Sequence, residues 1–255
     1  MNQKTVMITG ASSGIGAACA RRFATAGCRL VITGRNAEAL YALQQELQTI
    51  DKIEVYVLVF DVRDSQAVEA AVASLPEAFE VIDILINNAG LALGLEPLID
   101  GSDADWNTMI DTNVKGLVYV SRAVGRGMRA RGRGHIIHNG SVAGKQSYAN
   151  GAVYCGSKAA VDFITDAFRN EVIEQGIKVS AIHPGMVVTN FSKVRFHGDT
   201  ERADAVYAGV RPLSAADVAE SIFYMASAPA HVNIADMVLL SADQTPEGKV
   251  VRRDR

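Results

Sequence analysis

Short apolar runs alternate with helical patterns along almost the whole chain. The runs are continuous, as in buried parallel strands, and they lie at residues 6–9, 29–33, 55–60, 82–86, 135–139 and 178–182. Between them lie helical stretches, such as the alanine-rich one that closes at Gly27 and the one at 159–172. This order predicts an α/β fold, a doubly wound parallel sheet with helices on both faces.

Small and polar residues follow several of these predicted strands. They are Asp61 and Val62, the segment from Asn87 to Gly90, Ser141, and Pro184 with Gly185. In an open α/β sheet, ligands bind outside the carboxyl ends of the strands. We therefore expect a single ligand crevice at this edge of the sheet, in one domain that spans residues 1–255.

A glycine-rich turn follows the first strand and opens the first helix. Its residues are Gly10, Ala11, Ser12, Ser13, Gly14, Ile15 and Gly16. Backbone N–H groups and the positive end of a helix dipole bind a pyrophosphate in such a turn, although purely structural turns also use glycine. Within the repeating strand and helix pattern, this turn favours a Rossmann-like dinucleotide-binding domain. We expect Gly10, Ser12, Ser13, Gly14, Ile15 and Gly16 to contact the dinucleotide.

The end of the second strand indicates which dinucleotide binds. A carboxylate there would hold the free 2′-hydroxyl of NAD, but this chain has Gly34 and Arg35. A guanidinium suits a 2′-phosphate, so Arg35 predicts NADP(H) as the cofactor. The alternative is a solvated loop arginine. Asp61, after the third strand, is placed to accept a hydrogen bond from the adenine amino group.

Tyr154 and Lys158 form the candidate proton-transfer pair. They lie four residues apart, so on a helix they share one face. A nearby ammonium favours the phenolate and would bring the tyrosine pKa down from about 10 toward neutrality. Ser141 would then hydrogen-bond the carbonyl or alcohol oxygen of the substrate. Such a pair also occurs as an amphipathic surface feature, but small residues surround this one at 140–144 and 148–154.

Taken together, these segments resemble the single-domain short-chain dehydrogenases/reductases over residues 4–245. The shared motifs, in the family's order and spacing, are Thr9-Gly10-x-x-x-Gly14-x-Gly16, Asn87-Asn-Ala-Gly90, Asn113, Ser141, Tyr154-x-x-x-Lys158 and Pro184-Gly185. Cys155 and His183 are not the family's commonest residues at their positions. Neither position carries a catalytic role in the family.

The resemblance implies four catalytic residues. Ser141 orients the substrate oxygen, Tyr154 is the acid/base, and Lys158 binds the nicotinamide ribose and lowers the tyrosine pKa. Asn113 positions a water for proton relay. Further implied cofactor contacts are Val62, Asn87, Ala89, Gly90, Tyr154, Lys158, Pro184, Gly185, Val187 and Thr189. A homotetramer is implied as well.

Within the family, four segments resemble the bacterial NADP-dependent 3-hydroxy acid dehydrogenases and sulfoacetaldehyde reductases. These segments are 84–94, 111–118, 190–196 and 229–234. The resemblance implies reduction of a small anionic aldehyde, either sulfoacetaldehyde to isethionate or malonic semialdehyde to 3-hydroxypropionate. Oxidation of serine or allo-threonine is the alternative, and a non-catalytic NADP-binding regulator is a second.

A glycine- and charge-rich stretch at 185–211 follows the sixth strand, where a substrate lid would lie. Within it, we expect Arg195 to bind the anionic end of the substrate and Tyr148 to donate from the opposite wall. Weaker candidates are Gln146, Gln244 and the basic pair Arg252–Arg253 of the tail at 245–255, which a neighbouring subunit could supply. The alternatives are a surface loop and a solvated arginine.

Composition narrows the remaining functions. A net charge of −3 gives no reason to expect nucleic acid or a membrane surface as a partner. Three cysteines, at 19, 28 and 155, indicate reduced thiols, and no signal peptide or membrane-spanning run is visible, so we expect a cytoplasmic protein. We expect no metal site, since His135 and His138 would point to opposite faces of one strand.

Overall fold

The computed structural model describes residues 1, 3–50, 53–246 and 248–253. A seven-stranded parallel sheet runs through it in the order β3-β2-β1-β4-β5-β6-β9. The strands are β1 (Thr5–Thr9), β2 (Arg29–Gly34), β3 (Val55–Val59), β4 (Ile84–Asn87), β5 (Gly134–Asn139), β6 (Ile177–Pro184) and β9 (Asp236–Leu239), and β7 (Val187–Val188) pairs separately with β8 (Leu213–Ser214). The predicted doubly wound α/β fold is confirmed. Strand β9 was not predicted.

Helices cover both faces of the sheet. They are α1 (Gly14–Ala24), α2 (Ala37–Gln48), α3 (Ser65–Ala73), α4 (Asp103–Ile110), α5 (Leu117–Arg131), α6 (Val142–Lys145), α7 (Ala152–Val172), α8 (Phe191–Arg195), α9 (Thr200–Ala205) and α10 (Ala215–Ser227). Side chains of α1, α2 and α10 pack on one face, and those of α3, α5 and α7 on the other. No helix of the described residues is both long and apolar enough to cross a membrane.

The strand order reverses between β1 and β4, and this reversal locates the ligand crevice. Strand β2 pairs with one edge of β1, and β3 pairs with the outer edge of β2. The chain then crosses back, and β4 pairs with the other edge of β1. The connections therefore leave in opposite directions at this point, and a cleft opens at the carboxyl ends of the two strands. The residues after β1 and β4 are the predicted glycine turn and the segment that begins at Asn88.

Two buried histidines on β5 connect it to neighbouring elements, His138 to two helices and His135 to strand β6. His138 Nδ1 lies 2.8 Å from Thr165 Oγ1 on α7, and its Nε2 lies 3.0 Å from Ser121 Oγ on α5. His135 contacts Ser180 Oγ at 2.8 Å through Nε2. Burial lowers the pKa of each histidine to about 3. Both are therefore neutral structural residues at physiological pH, on opposite faces of the strand as predicted.

We expect the free energy of unfolding to fall as the pH drops from about 6.5 toward 3. Between these pH values a histidine binds a proton in the unfolded chain, whereas His135 and His138 stay neutral in the folded protein. Each of them therefore adds up to about 1.4 kcal/mol per pH unit to the slope of the free energy of unfolding against pH. His138→Gln should flatten the slope, measured by denaturant unfolding between about pH 7 and pH 4.5. His231→Gln, at an exposed position, is the control and should leave the slope unchanged. Equal slopes for the wild type and His138→Gln would contradict this account.

Candidate active site

A crevice of about 300 Å³ lies at the carboxyl ends of β1, β2, β3, β4, β5 and β6. Most of the predicted site residues line it. They are Gly10, Ser12, Ser13, Gly14, Ile15, Arg35, Asp61, Val62, Ala89, Gly90, Ser141, Tyr154, Lys158, Pro184, Gly185, Val187 and Thr189. The crevice thus joins the predicted nucleotide-binding turn to the predicted proton-transfer pair.

The glycine turn has the geometry of an anion-binding helix start. Gly14 has a φ of +53°, a backbone conformation that favours glycine, and α1 begins there with no acidic residue in its first turn. The first N–H groups of a helix have no helical partner, and Gly14 and Ile15 of this first turn line the crevice. Gly16 does not line the crevice. A Cβ on Gly16 would lie 2.3 Å from Gly10 O, so its role is close packing of the turn and not the predicted direct contact.

The segment after β4 corrects one prediction. Asn87 is buried, and its side-chain amide donates to Leu117 O and Ser121 Oγ, both at 2.9 Å. It does not line the crevice. The strand alternation turns Asn87 toward helix α5, whereas its neighbour Asn88 lines the crevice, with its amide donating to Thr9 O at 3.0 Å.

Two arginines surround Asp61 at one end of the crevice. Arg63 donates to Asp61 Oδ2 through Nε (2.9 Å) and Nη2 (2.6 Å), and its backbone N–H donates to Oδ1. Arg35 Nη1 lies 3.9 Å from Asp61 Oδ2, and its side chain is 60% exposed. Burial alone would raise the pKa of Asp61, but the hydrogen bonds and charges of Arg63, with the charge of Arg35, hold it below its ordinary value. Arg63 was not predicted, and it donates to both of the carboxylate oxygens that we expect adenine to approach.

The candidate catalytic side chains meet where α6 and α7 begin. Ser141 precedes α6 as its N-cap, with its Oγ accepting from Ala143 N at 3.1 Å, and it lines the crevice together with Tyr154. Tyr154 and Lys158 lie one turn apart on α7, and both are buried. Lys158 Nζ donates to Asn139 O at 2.8 Å. The predicted serine, tyrosine and lysine therefore lie together.

The pKa of Tyr154 differs from the expectation. Burial raises it above its ordinary value, while the hydrogen bond from Ser141 and the charge of Arg195 act in the opposite direction. Burial also lowers the pKa of Lys158 to about 8, against the charge of Asp162. Lys158 is not among the main causes of the shift in the Tyr154 pKa, so its lowering of that pKa stays a prediction. Both groups are desolvated, and desolvation favours the neutral form of each.

Asn113 lies in a π-helix, Asp111–Gly116, between α4 and α5. Its side-chain amide donates to Leu91 O at 2.8 Å and to Ser157 Oγ at 3.0 Å, and its Oδ1 accepts from Leu91 N. The side chain is fully engaged in these structural bonds. A relay water would thus have to be held by the main chain of the π-helix, whose irregular hydrogen bonding is typical of functional sites.

Arg195 approaches the site from the last turn of α8. Its Nε donates to Gly94 O at 3.0 Å and its Nη1 to Tyr148 Oη at 2.9 Å, while its Nη2 is buried without a partner among the described residues. Arg195 and Tyr154 together line a second cavity of about 20 Å³ beside the crevice. Tyr148 therefore lies against Arg195, whereas we expected it on the opposite wall of the site.

The weaker substrate candidates lie elsewhere. Gln146 is exposed, and Gln244 Oε1 accepts from Met186 N at 3.0 Å. Arg252 and Arg253 donate to Ala208 O and to Asp243 of their own chain. None of these four residues lines either cavity. Of the tail at 245–255, residues 247, 254 and 255 lie outside the described residues.

The stretch predicted as a lid contains regular structure. Residues 185–211 include β7, α8 and α9, and Gly94 N donates to Arg195 O at 2.9 Å. His197 Nε2 lies 3.1 Å from Asp105 Oδ2. These contacts hold the stretch against the loop that follows β4 and against helix α4, and its residues Phe191 and Val194 line the crevice together with Tyr154.

Several residues that line the crevice were missed. They are Gly34, Phe60, Asn88, Leu91, Thr112, Asn139, Gly140, Asn190, Phe191 and Val194. Most are immediate sequence neighbours of predicted residues at strand ends, so a wider window at each strand end would have found them. Thr112 and Val194 depend on how helices pack.

Comparison with known proteins gives one consistent family. The family model for short chain dehydrogenase matches residues 4–199. Sulfoacetaldehyde reductase 2 of Chromohalobacter salexigens is 46% identical over 250 residues, covering 98% of each chain. The NADP-dependent 3-hydroxy acid dehydrogenase YdfG of Salmonella typhi is 45% identical over 249 residues, covering 97% of this chain and 99% of that protein.

A solved structure shows the same likeness in three dimensions. The closed form of serine dehydrogenase complexed with NADP+ superposes with a TM-score of 0.92 at 43% identity, covering 98% of this chain and 100% of that one. The family match, the relatives and the crevice with its serine, tyrosine and lysine all agree. The chain belongs to the short-chain dehydrogenase/reductase family.

Proposed function

We propose that this enzyme uses NADPH to reduce a small anionic aldehyde to the alcohol. The candidate reactions are sulfoacetaldehyde to isethionate and malonic semialdehyde to 3-hydroxypropionate, each reversible as an NADP-dependent oxidation. The names of the relatives from Chromohalobacter salexigens and Salmonella typhi support this class of substrate. The experiment that tests it is a kinetic panel of these two aldehydes, a neutral aldehyde of similar size, and the corresponding alcohols.

One observation carries the anionic part of the proposal, the buried and unpartnered Nη2 of Arg195. A buried donor without a partner costs free energy, roughly 1–3 kcal/mol, which a ligand acceptor would recover. Arg195 and Tyr154 line the same cavity, which at about 20 Å³ has room for about one water, so the guanidinium and the proposed proton donor lie in neighbouring parts of one site. A two- or three-carbon substrate, whose anion and carbonyl are close neighbours, would suit such an arrangement.

Tyr154 and Ser141 would perform the proton chemistry. When bound, NADPH supplies the hydride. Burial keeps the Tyr154 phenol protonated at neutral pH, so it can give its proton to the oxygen of the reduced carbonyl while Ser141 orients that oxygen. Lys158 would hold the nicotinamide ribose, and the main chain near Asn113 would hold the water that returns a proton to the site.

The crevice suits NADP(H). The turn from Gly10 to Gly16 offers the helix start for the pyrophosphate, and Arg35 offers an exposed guanidinium where the adenosine ribose would lie. The relative YdfG is named NADP-dependent, and the solved serine dehydrogenase contains NADP+. These facts support NADP(H) over NAD(H).

Oxidation of serine or allo-threonine is the second candidate. Such substrates carry an ammonium group next to the carboxylate, and acidic side chains would be needed to receive it. Glu96 and Asp105 line the same small cavity as Arg195, although Asp105 also pairs with His197. If serine is oxidised faster than the hydroxy acids that lack an ammonium, these two carboxylates become the preferred explanation. Assembly as a homotetramer and a cytoplasmic location stay predictions from the sequence.

Tyr154→Phe should reduce kcat by roughly 10²–10⁴-fold, because it removes only the proton donor. NADPH affinity should be almost unchanged. The matched control is Tyr56→Phe, since Tyr56 packs on Phe79 away from the crevice. If the Tyr154→Phe enzyme keeps more than about half of the wild-type kcat, which lies far outside that range, Tyr154 is not the proton donor.

Arg35→Ala should weaken NADPH binding much more than NADH binding, since only NADPH carries the 2′-phosphate. A charge-assisted hydrogen bond to one such group contributes roughly 1.5–3 kcal/mol. Both dissociation constants can be followed by the fluorescence of the reduced nicotinamide. Arg21→Ala, which removes an exposed arginine paired with Glu46, controls for loss of charge. Equal losses for the two cofactors would make Arg35 an ordinary loop residue.

Arg195→Ala should raise KM for sulfoacetaldehyde or malonic semialdehyde and leave a neutral aldehyde of similar size unaffected. A charge-assisted bond predicts an increase of roughly tenfold or more. Arg202→Ala is the control, because Arg202 lies in the same stretch and packs on Phe196 without lining the cavity. If Arg195→Ala impairs anionic and neutral aldehydes alike, the residue serves only the folding of this stretch.

A further inference from the structure

The pairing of Arg63 with Asp61 bears on how the enzyme selects its cofactor. Asp61 lines the crevice and Arg63 does not, yet Arg63 provides all three of the hydrogen bonds that Asp61 accepts from these two arginines. Arg35, which lines the crevice, lies 3.9 Å from the same carboxylate, beyond hydrogen-bond distance. The carboxylate is therefore held by the arginine outside the crevice and not by the one inside it.

A free carboxylate at this position would oppose NADP binding in two ways. It would repel a 2′-phosphate that lies beside Arg35, and it would compete with that phosphate for the Arg35 guanidinium. The side chains of Arg35, Asp61 and Arg63 together carry a net charge of about +1, and without Arg63 the net charge of the other two would be about zero. The Asp61 side chain is 28% exposed, so water weakens this repulsion only in part.

We propose that Arg63 determines the preference for NADP over NAD by neutralising and restraining Asp61, which leaves the Arg35 guanidinium free for the 2′-phosphate. Arg63 is a positioning residue in this scheme, since it acts on the cofactor through Asp61. The inference rests on the proposed role of Arg35 and adds a second residue, outside the crevice, on which that role depends.

The test is a double-mutant cycle read out by binding to the full-length enzyme, with no turnover required. Dissociation constants for NADPH and NADH are measured for the wild type, Arg63→Gln, Asp61→Asn and the Asp61→Asn/Arg63→Gln double variant. The ratio of the two constants cancels any effect on adenine, which both cofactors share. Glutamine keeps hydrogen-bond donors without the charge, and Arg63→Lys restores the charge. Lys115→Ala, which removes a nearby cation paired with Asp111, is the control for general loss of positive charge.

Arg63→Gln should weaken NADPH by roughly threefold to tenfold and NADH by less than about twofold, as expected for a partly exposed charge interaction. In the Asp61→Asn background, Arg63→Gln should change the ratio of the NADPH and NADH dissociation constants by less than about twofold, because the Asp61 carboxylate on which Arg63 acts is no longer present. Arg63→Lys should stay close to the wild-type ratio, and Lys115→Ala should leave the ratio unchanged.

Three results would overturn the inference. Equal losses of NADPH and NADH in Arg63→Gln would reduce Arg63 to a structural role. A full NADPH-selective loss that persists in the Asp61→Asn background would mean that Arg63 does not act through Asp61. The third is a loss of selectivity in Lys115→Ala as large as in Arg63→Gln. Arg35→Ala in the same series distinguishes failure of the proposed Arg35 site from failure of the Arg63 proposal. If Arg35→Ala weakens NADPH and NADH equally, the proposed 2′-phosphate site itself is wrong. If Arg35→Ala weakens NADPH selectively but Arg63→Gln does not, only the role of Arg63 is wrong.

Discussion

The close approach of the glycine turn to the end of β4 is the constraint on which the crevice depends. Asn88 donates to Thr9 O and Gly10 O, Asn139 donates to Asn88 Oδ1 at 2.8 Å, and Lys158 donates to Asn139 O. This chain of hydrogen bonds runs from the nucleotide-binding turn to the candidate catalytic lysine. It crosses three neighbouring strands, so the parallel register of the sheet fixes the distance between the two ends of the site.

Desolvation governs the chemistry at the catalytic end of this network. Because burial raises the pKa of Tyr154 and lowers that of Lys158 to about 8, the tyrosine remains an acid at neutral pH and the lysine remains largely protonated. A protonated phenol beside Ser141 is the state that reduction requires. The oxidative direction requires the phenolate, which the same burial disfavours.

The sequence predicted the strands, the crevice and most of its lining because strand ends in a parallel sheet meet at one edge. It was wrong where orientation or a distant partner decides the outcome. Asn87 points toward helix α5, and Gly16 packs against the turn. The Arg63–Asp61 pair and the contact of Tyr148 with Arg195 form only once the backbone is placed. The π-helix around Asn113 has no signal in a single sequence.

The two arginines that we propose as anion-binding residues lie in different environments, Arg35 in the crevice and Arg195 in the small cavity beside it. Arg35 is largely exposed beside a carboxylate, so its attraction for a phosphate is screened by salt and depends on how Asp61 is neutralised. Arg195 has two of its nitrogens bonded to Gly94 and Tyr148 and its third buried, so its attraction for an anion is screened far less. The large cofactor can rely on many weak contacts along the crevice. A small substrate offers little apolar surface, so in the proposed function one strong interaction with a partly desolvated guanidinium such as that of Arg195 would have to provide most of the recognition.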